Sequence, residues 1–180
     1  TRELAMQVAE AIESFGKDMK GLRVATLYGG QSYGPQFQQL ERGAQVVVGT
    51  PGRLMDHLRR KSLKLDNLRV CVLDEADEML NMGFLEDIQW ILDHLPKTTQ
   101  MCLFSATMPP AIRKIANRFL KDPEHIKVAA VKKAKANITQ YAWKVSGITK
   151  MTALERIAEV VDYDAMIIFV RTRNDTVDVA

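Results

Sequence analysis

The 180-residue sequence has no apolar run near the roughly 18 residues that cross a bilayer as a helix. It has two cysteines, Cys71 and Cys102, too few for a disulfide framework and not in a metal-type cluster. Each lies inside an apolar run, which reads as a reduced core thiol of a cytosolic protein. Charge of one sign is not in excess: 25 basic and 22 acidic residues leave a net +3. There is no short internal repeat, no low-complexity tract and no signal peptide. The chain does not begin with Met, opens within a helix-like pattern at Thr1 and stops within another at Ala180. Both ends read as cuts.

What remains is the composition of a folded domain, 47% hydrophobic and 26% charged. Two kinds of segment alternate. Residues 23–28, 45–49, 69–74, 100–105 and 166–171 are short apolar, largely β-branched runs that read as buried strands. Between them lie helical periods. Leu4, Val8, Ala11, Ile12 and Phe15 share a face, as do Leu85, Ile88, Leu92 and Leu95. Ile112, Ile115, Ala116 and Phe119 form a third set, and Leu154, Ile157, Ala158 and Val161 a fourth. The alternation predicts βαβ units: an α/β fold with a parallel sheet and helices on both faces. Pro51 suits the first turn of a helix capped by Thr50, and Pro109-Pro110 do the same after Thr107.

Three segments follow from this. Residues 1–128 form a first α/β lobe. Residues 129–137 have no clear period and read as a linker. Residues 138–180 begin a second unit, with a strand at 138–146, a helix at 150–163 and a strand at 166–171. Positive charge collects around the linker: Lys132, Lys133, Lys135, Lys144 and Lys150 occur with no acid between residues 129 and 150. That run could attract phosphates, or be a solvated connector.

In parallel α/β sheets, ligands bind beyond the carboxyl ends of the strands. The run 70–73 leads directly into Asp74-Glu75-Ala76-Asp77. Acids there are costly unless they have work to do, and Mg²⁺ takes one or two carboxylates with waters and phosphates. Asp74 suits a metal ligand and Glu75 a group that polarises water attacking a γ-phosphate. Acids matched to a helix dipole are the plainer alternative. The run 101–104 ends in Ser105-Ala106-Thr107, whose hydroxyls could bond Asp77 or simply cap a helix.

Thr50-Pro51-Gly52-Arg53 offers a hydroxyl, helix N-terminal amides and a guanidinium after one strand. Gly29-Gly30 follows another, where backbone can approach a ligand closely, and Thr1-Arg2-Glu3 opens a helix. Together they suit a sugar–phosphate backbone better than one small molecule. Arg59-Arg60-Lys61 reads as a match to a helix C-terminus. A nucleotide site calls for Gly-x4-Gly-Lys-Ser/Thr. The glycine spacing occurs at Gly16/Gly21 and Gly29/Gly34, but Leu22-Arg23 and Pro35-Gln36 follow, so neither is a P-loop.

In this order the elements resemble the DEAD-box RNA helicases. Thr1-Arg2-Glu3-Leu4-Ala5 is similar to motif Ia, Gly29-Gly30 to the glycine doublet, and Thr50-Pro51-Gly52-Arg53 to motif Ib. Asp74-Glu75-Ala76-Asp77 resembles motif II, Ser105-Ala106-Thr107 motif III, and residues 167–172 motif IV. The flanks 43–58 and 73–84 look most like the bacterial cold-shock, DeaD-like branch. The resemblance implies two RecA-like lobes, here a partial first lobe and the start of a second. It implies an RNA-stimulated ATPase that locally opens short duplexes, with ATP and Mg²⁺ as cofactors and a cytoplasmic setting. RNA would be bound without sequence preference, and ribosomal or mRNA-decay assemblies would be partners.

By the same resemblance, Asp74 and Glu75 serve Mg²⁺ (through water), ATP and water activation. Asp77, Ser105 and Thr107 couple hydrolysis to strand separation. Thr1, Arg2, Gly29, Gly30, Thr50, Gly52 and Arg53 contact the RNA backbone, and Phe169 and Arg171 sit on the second lobe. The family's Q motif and P-loop would precede Thr1, and motifs V and VI with the arginine finger would follow Ala180. The P-loop strand would leave a gap inside the first sheet, with apolar faces and edges open. An ATP-independent RNA-binding or annealing module is the alternative for this stretch alone. A partner-binding relic of the fold is a third reading.

Overall fold

Parallel pairing organises the first part of the molecule. In the computed structural model, which describes residues 1–128 and 138–180, β1 (Val24–Leu27) pairs in parallel with β2 (Val46–Gly49), Val24 opposite Val46. β3 (Val70–Leu73) pairs likewise with β4 (Gln100–Leu103), Val70 opposite Gln100. The strands lie within the four apolar runs of residues 1–128. Each is one or two residues shorter than its run.

Helices connect the strands, as parallel pairs require. α1 (Arg2–Phe15) lies against β1 and β2, and α2 (Tyr33–Glu41) against β1. Ala25 and Leu27 are fully buried. α3 (Pro51–Arg59) follows β2 with Pro51 in its first turn, while Thr50 holds the cap position without a side-chain capping bond. α4 (Ala76–Asn81) and α5 (Leu85–Asp93) connect β3 to β4, and α6 (Pro110–Phe119) follows β4. Ile88 and Leu92 of α5 and Ile115 of α6 form a core that receives Cys71 and Leu73 from β3 and Met101 and Leu103 from β4. The period predicted for α5 and α6 is the period that packs. Burial raises the Cys71 thiol to about 11, so it is an inert core group.

The two ladders remain separate two-stranded sheets, both parallel as the alternation predicts, in keeping with the gap and open apolar faces expected of the first sheet. Cys71 and Leu73 face the core, but Val70 and Val72 on the other face of β3 are 48% and 53% exposed. Contact between α3 and α5 connects the two halves of this unit.

The chain divides into the units Thr1–Ile126 and Lys127–Ala180. Residues 129–137, the basic linker of the sequence reading, lie outside the described residues. The second unit contains α7 (Lys150–Val160), capped by the Thr149 hydroxyl, and α8 (Arg173–Val179), opened by a capping box between Thr172 and Asp175. The strands predicted at 138–146 and 166–171 do not form. No strand occurs among the described residues of this unit. A β-branched run without a neighbour to take its backbone hydrogen bonds has little to hold it extended. Ile167 and Phe169 are correspondingly exposed.

Candidate functional site

The candidate residues of the first unit gather at the carboxyl edges of its two strand pairs. At the end of β3 the chain turns sharply. Glu75 adopts a left-handed conformation at φ 50°, ψ 46°, an uncommon state for a residue with a Cβ. The Ala76 amide donates to the Phe104 carbonyl at 3.0 Å, which ties the turn to the segment leaving β4. The turn separates the three acids. Asp74 and Glu75 are exposed, with Asp74 Oδ1 accepting from the Glu75 amide at 3.0 Å. Asp77 points inward and is buried.

Ser105 and Thr107 close on Asp77. The Thr107 hydroxyl donates to Asp77 Oδ2 at 2.6 Å and its amide donates to the same oxygen at 2.8 Å. Ser105 Oγ accepts from the Asp77 amide at 3.2 Å and donates to the Thr107 carbonyl at 2.7 Å. Thr107's hydroxyl, assisted by these neighbours and opposed by burial, holds the Asp77 carboxyl far below the usual carboxylate range. The triplet is therefore not the cap of α6, whose cap position is Pro109. Asp77 Oδ1 is buried without a hydrogen-bond partner among the described residues. An orphaned buried acceptor is costly, so this atom is set up for a donor.

No cluster of three or more metal-ligating side chains occurs among the described residues. The residues present still fit Mg²⁺, which needs one or two exposed carboxylates and takes its other ligands from water and phosphate. Asp74 and Glu75 provide such a pair.

The second edge belongs to β1 and β2. Thr1 caps α1, its hydroxyl accepting from the Leu4 amide at 3.1 Å. Arg2 pairs with Glu3 at 3.0 Å, and its Nη1 lies 3.7 Å from where a Cβ on Gly30 would stand. Gly30 has φ +81°, which favours glycine, and the space beside Gly29 is open. The Thr50 amide donates to the Leu27 carbonyl at 3.0 Å, bringing the turn after β2 beside the end of β1. The Asp87 carboxylate stands 3.7 Å from the Cβ position at Gly52.

Arg53 is held by the protein itself. Its Nη1 donates to the Gln31 carbonyl at 3.0 Å and to Gln36 Oε1 at 3.1 Å, and its guanidinium lies 4.2 Å from the centre of the Tyr33 ring. The residues responsible, Gln36 and His57, belong to none of the motifs in the sequence. Gln36 and His57 are both fully buried. Gln36 Nε2 donates to the Tyr28 carbonyl at 3.0 Å and to Gln31 Oε1 at 2.8 Å. Its Oε1 also takes His57 Nε2 at 2.9 Å, so His57 carries its proton there and offers Nδ1 to the Ser62 hydroxyl at 2.8 Å. Every polar position of Gln36 is used. The signal in the sequence was His57 four residues after Arg53, on the same face of α3. Arg60 of the basic triplet pairs with Asp56 at 3.1 Å. Tyr33's hydroxyl donates to the same Asp56.

The family model described as DEAD/DEAH box helicase matches residues 1–115. The chain belongs to that family. It is 53% identical over all 180 residues to the ATP-dependent RNA helicase DeaD of Escherichia coli strain K12, of which it covers 29%. To the ATP-dependent RNA helicase DeaD of Haemophilus influenzae it is 52% identical over 179 residues, again 29% of that protein. The chain thus spans less than a third of the DeaD relatives it matches. Among solved structures, a DEAD box protein from the hyperthermophile Methanococcus jannaschii superposes with TM-score 0.65 at 50% identity, covering 68% of this chain and 33% of that one. A hypothetical ATP-dependent RNA helicase from Sulfolobus tokodaii gives TM-score 0.65 at 40% identity, covering 69% of this chain and 37% of that one. The helicase fold and the narrower DeaD-like resemblance both follow. Phe169 and Arg171, the motif IV candidates, lie in the second unit on an exposed segment without strand structure. No described helix is long and apolar enough to cross a membrane.

Proposed function

We propose that this chain is part of an ATP-dependent RNA helicase, an RNA-stimulated ATPase that locally opens short RNA duplexes in the cytoplasm. The observation carrying the proposal is the double hydrogen bond from Thr107 to Asp77 beside two exposed carboxylates. That pattern separates a fixed acid, suited to relaying movement, from free acids suited to chemistry. Asp74 and Glu75 would hold Mg²⁺, which when bound neutralises phosphate charge. Glu75 would orient and polarise the attacking water. Asp77, held by Ser105 and Thr107, would transmit movement of the β4 segment to the acids. Thr1, Arg2, Gly29, Gly30, Thr50, Gly52 and Arg53 would grip the RNA backbone through amides, hydroxyls and cations, without reading bases. Residues 1–128 would be a partial first RecA-like lobe, 129–137 the link, and 138–180 the start of the second lobe. Ribosomal or mRNA-decay assemblies are the partners this role would bring.

A second reading has its own observation. No Gly-x4-Gly-Lys-Ser/Thr occurs in the 180 residues. On that ground, this stretch by itself would be an ATP-independent RNA-binding or annealing module. ATP hydrolysis with and without single-stranded RNA separates the readings, measured on this chain and on the chain extended to its relatives' length. Turnover by the extended protein alone, stimulated by RNA, supports the helicase. An extended protein that binds RNA but is inert to ATP overturns it in favour of the module.

A further inference from the structure

We infer that Gln36 is a positioning residue for the RNA edge, fixing Arg53 and the 28–31 turn to each other before RNA arrives. This rests on the proposed reading of that edge as an RNA-backbone site. Gln36 is fully buried on α2 and so is not offered to a ligand. Its amide nitrogen holds the turn through the Tyr28 carbonyl and Gln31 Oε1, while its oxygen holds Arg53 Nη1 and His57 Nε2. Arg53 Nη1 closes the ring by donating to the Gln31 carbonyl. Two elements 22 residues apart, the glycine turn and the start of α3, are thereby one unit.

The consequence is preorganisation. A free arginine loses much rotamer freedom when it grips a phosphate, whereas Arg53 has already lost it to Gln36, Gln31 and the Tyr33 ring. Arg53 Nε and Nη2 have no hydrogen-bond partner among the described residues and remain for a phosphate. Gly30, at φ +81°, keeps its backbone in a conformation that other residues rarely adopt. Gln36 thus contributes affinity without touching RNA or adding charge.

The test is a double-mutant cycle in the chain extended to its relatives' length. Binding to a single-stranded RNA is titrated across a salt series for the parent, Gln36→Met, Arg53→Ala and the pair. Gln36→Met is expected to weaken binding about tenfold while the salt slope stays unchanged, because no charge is lost. The RNA concentration for half-maximal ATPase stimulation should rise with little change in kcat. Arg53→Ala should lower both affinity and slope. Adding Gln36→Met to it should cost no more than about a further twofold, since the residue it positions is gone. If Gln36→Met does not fold, Gln36→Glu keeps the length and the acceptor but loses both donors to the turn, and it should also weaken binding. RNA affinity unchanged in the Gln36 variants overturns the inference, as do effects that multiply in full. If Arg53→Ala alone leaves affinity and slope unchanged, the RNA edge itself falls, and this inference with it.

Discussion

The carboxyl edges of the two strand pairs differ in how complete they are. At β1 and β2, the glycine turn, Arg53 and His57 are cross-connected through Gln36, and all of its polar positions are bonded. The residues involved, from Tyr28 to Ser62, come from one continuous stretch of chain. At β3 and β4, one acid is fixed and two stand in solvent, Asp77 Oδ1 lacks a donor, and one face of β3 is bare. The first edge is a finished surface that a backbone can meet as it is. The second is finished only where it anchors Asp77; Asp77 Oδ1 has no partner among the described residues, and Val70 and Val72 stay about half exposed. Electrostatics follow the same division: cations are positioned by local bonds at one edge, and acids are left available at the other.

The largest effect is expected at the open edge. In the chain extended to its relatives' length, Glu75→Gln should cut ATP turnover by about 100-fold or more while ATP and RNA binding persist. The motive is an exposed carboxylate held in a left-handed turn beside Asp74. Turnover near the parent rate would remove Glu75 from the chemistry and leave the two edges without a division of labour. At the closed edge, Arg53→Ala should reduce RNA affinity several-fold and lower the salt slope by about 0.7, one phosphate contact on a single strand. An unchanged slope would make Arg53 a structural member of its network and nothing more.

A smaller effect tests the fixed acid. The carboxyl of Asp77 is held below its ordinary 3.8, with the Thr107 hydroxyl the largest cause. A depressed folded-state pKa stabilises the protein above the unfolded value, and that contribution is lost as the pH falls through the folded one. Thr107→Val should therefore lower Tm most at neutral pH, and the gap from the parent should shrink on acidification below about 4. A gap that is constant with pH would mean that the valine disturbs packing without touching the carboxylate.

Much of this was legible in sequence where a local rule and its tertiary outcome agree. The four strands of the first unit lie in the predicted runs, and α5 and α6 bury the predicted faces, because period and packing demand the same residues; α1 instead buries Ala5 and Ala9 and leaves Ala11 and Phe15 of its predicted face exposed. The nearness of Asp77 to Ser105-Ala106-Thr107 followed from two strands that end side by side. The run 166–171 misled for the complementary reason: β-propensity describes a residue that fits a sheet, and no strand lies beside it among the described residues of its unit. His57 left only its spacing from Arg53 as a signal, and Gln36 left none, because a polar residue on a helix is expected to face solvent. Only the fold shows that their bonds converge on the 28–31 turn.

The smallest effect concerns His57 and asks whether the closed edge is sensitive to acid. Burial, and next the Arg53 guanidinium, hold the imidazole below its ordinary 6.5; Arg60 adds to this and Asp56 opposes it. The folded state then binds the proton less readily than the unfolded chain. Its contribution is full above about 6.5 and declines as pH falls below that value. Hydrogen bonding alone would not forbid protonation. Ser62 Oγ lies 2.8 Å from Nδ1 and 3.1 Å from the His57 carbonyl, so it could accept from Nδ1 and turn its own proton to the carbonyl. The penalty is instead a second positive charge, buried beside Arg53. His57→Gln keeps an amide donor toward Gln36 but cannot become charged. It should flatten the dependence of Tm on pH below 6.5, even if Tm at pH 8 falls a little. A slope as steep as the parent's would place the acid sensitivity elsewhere and leave the network of the closed edge indifferent to pH.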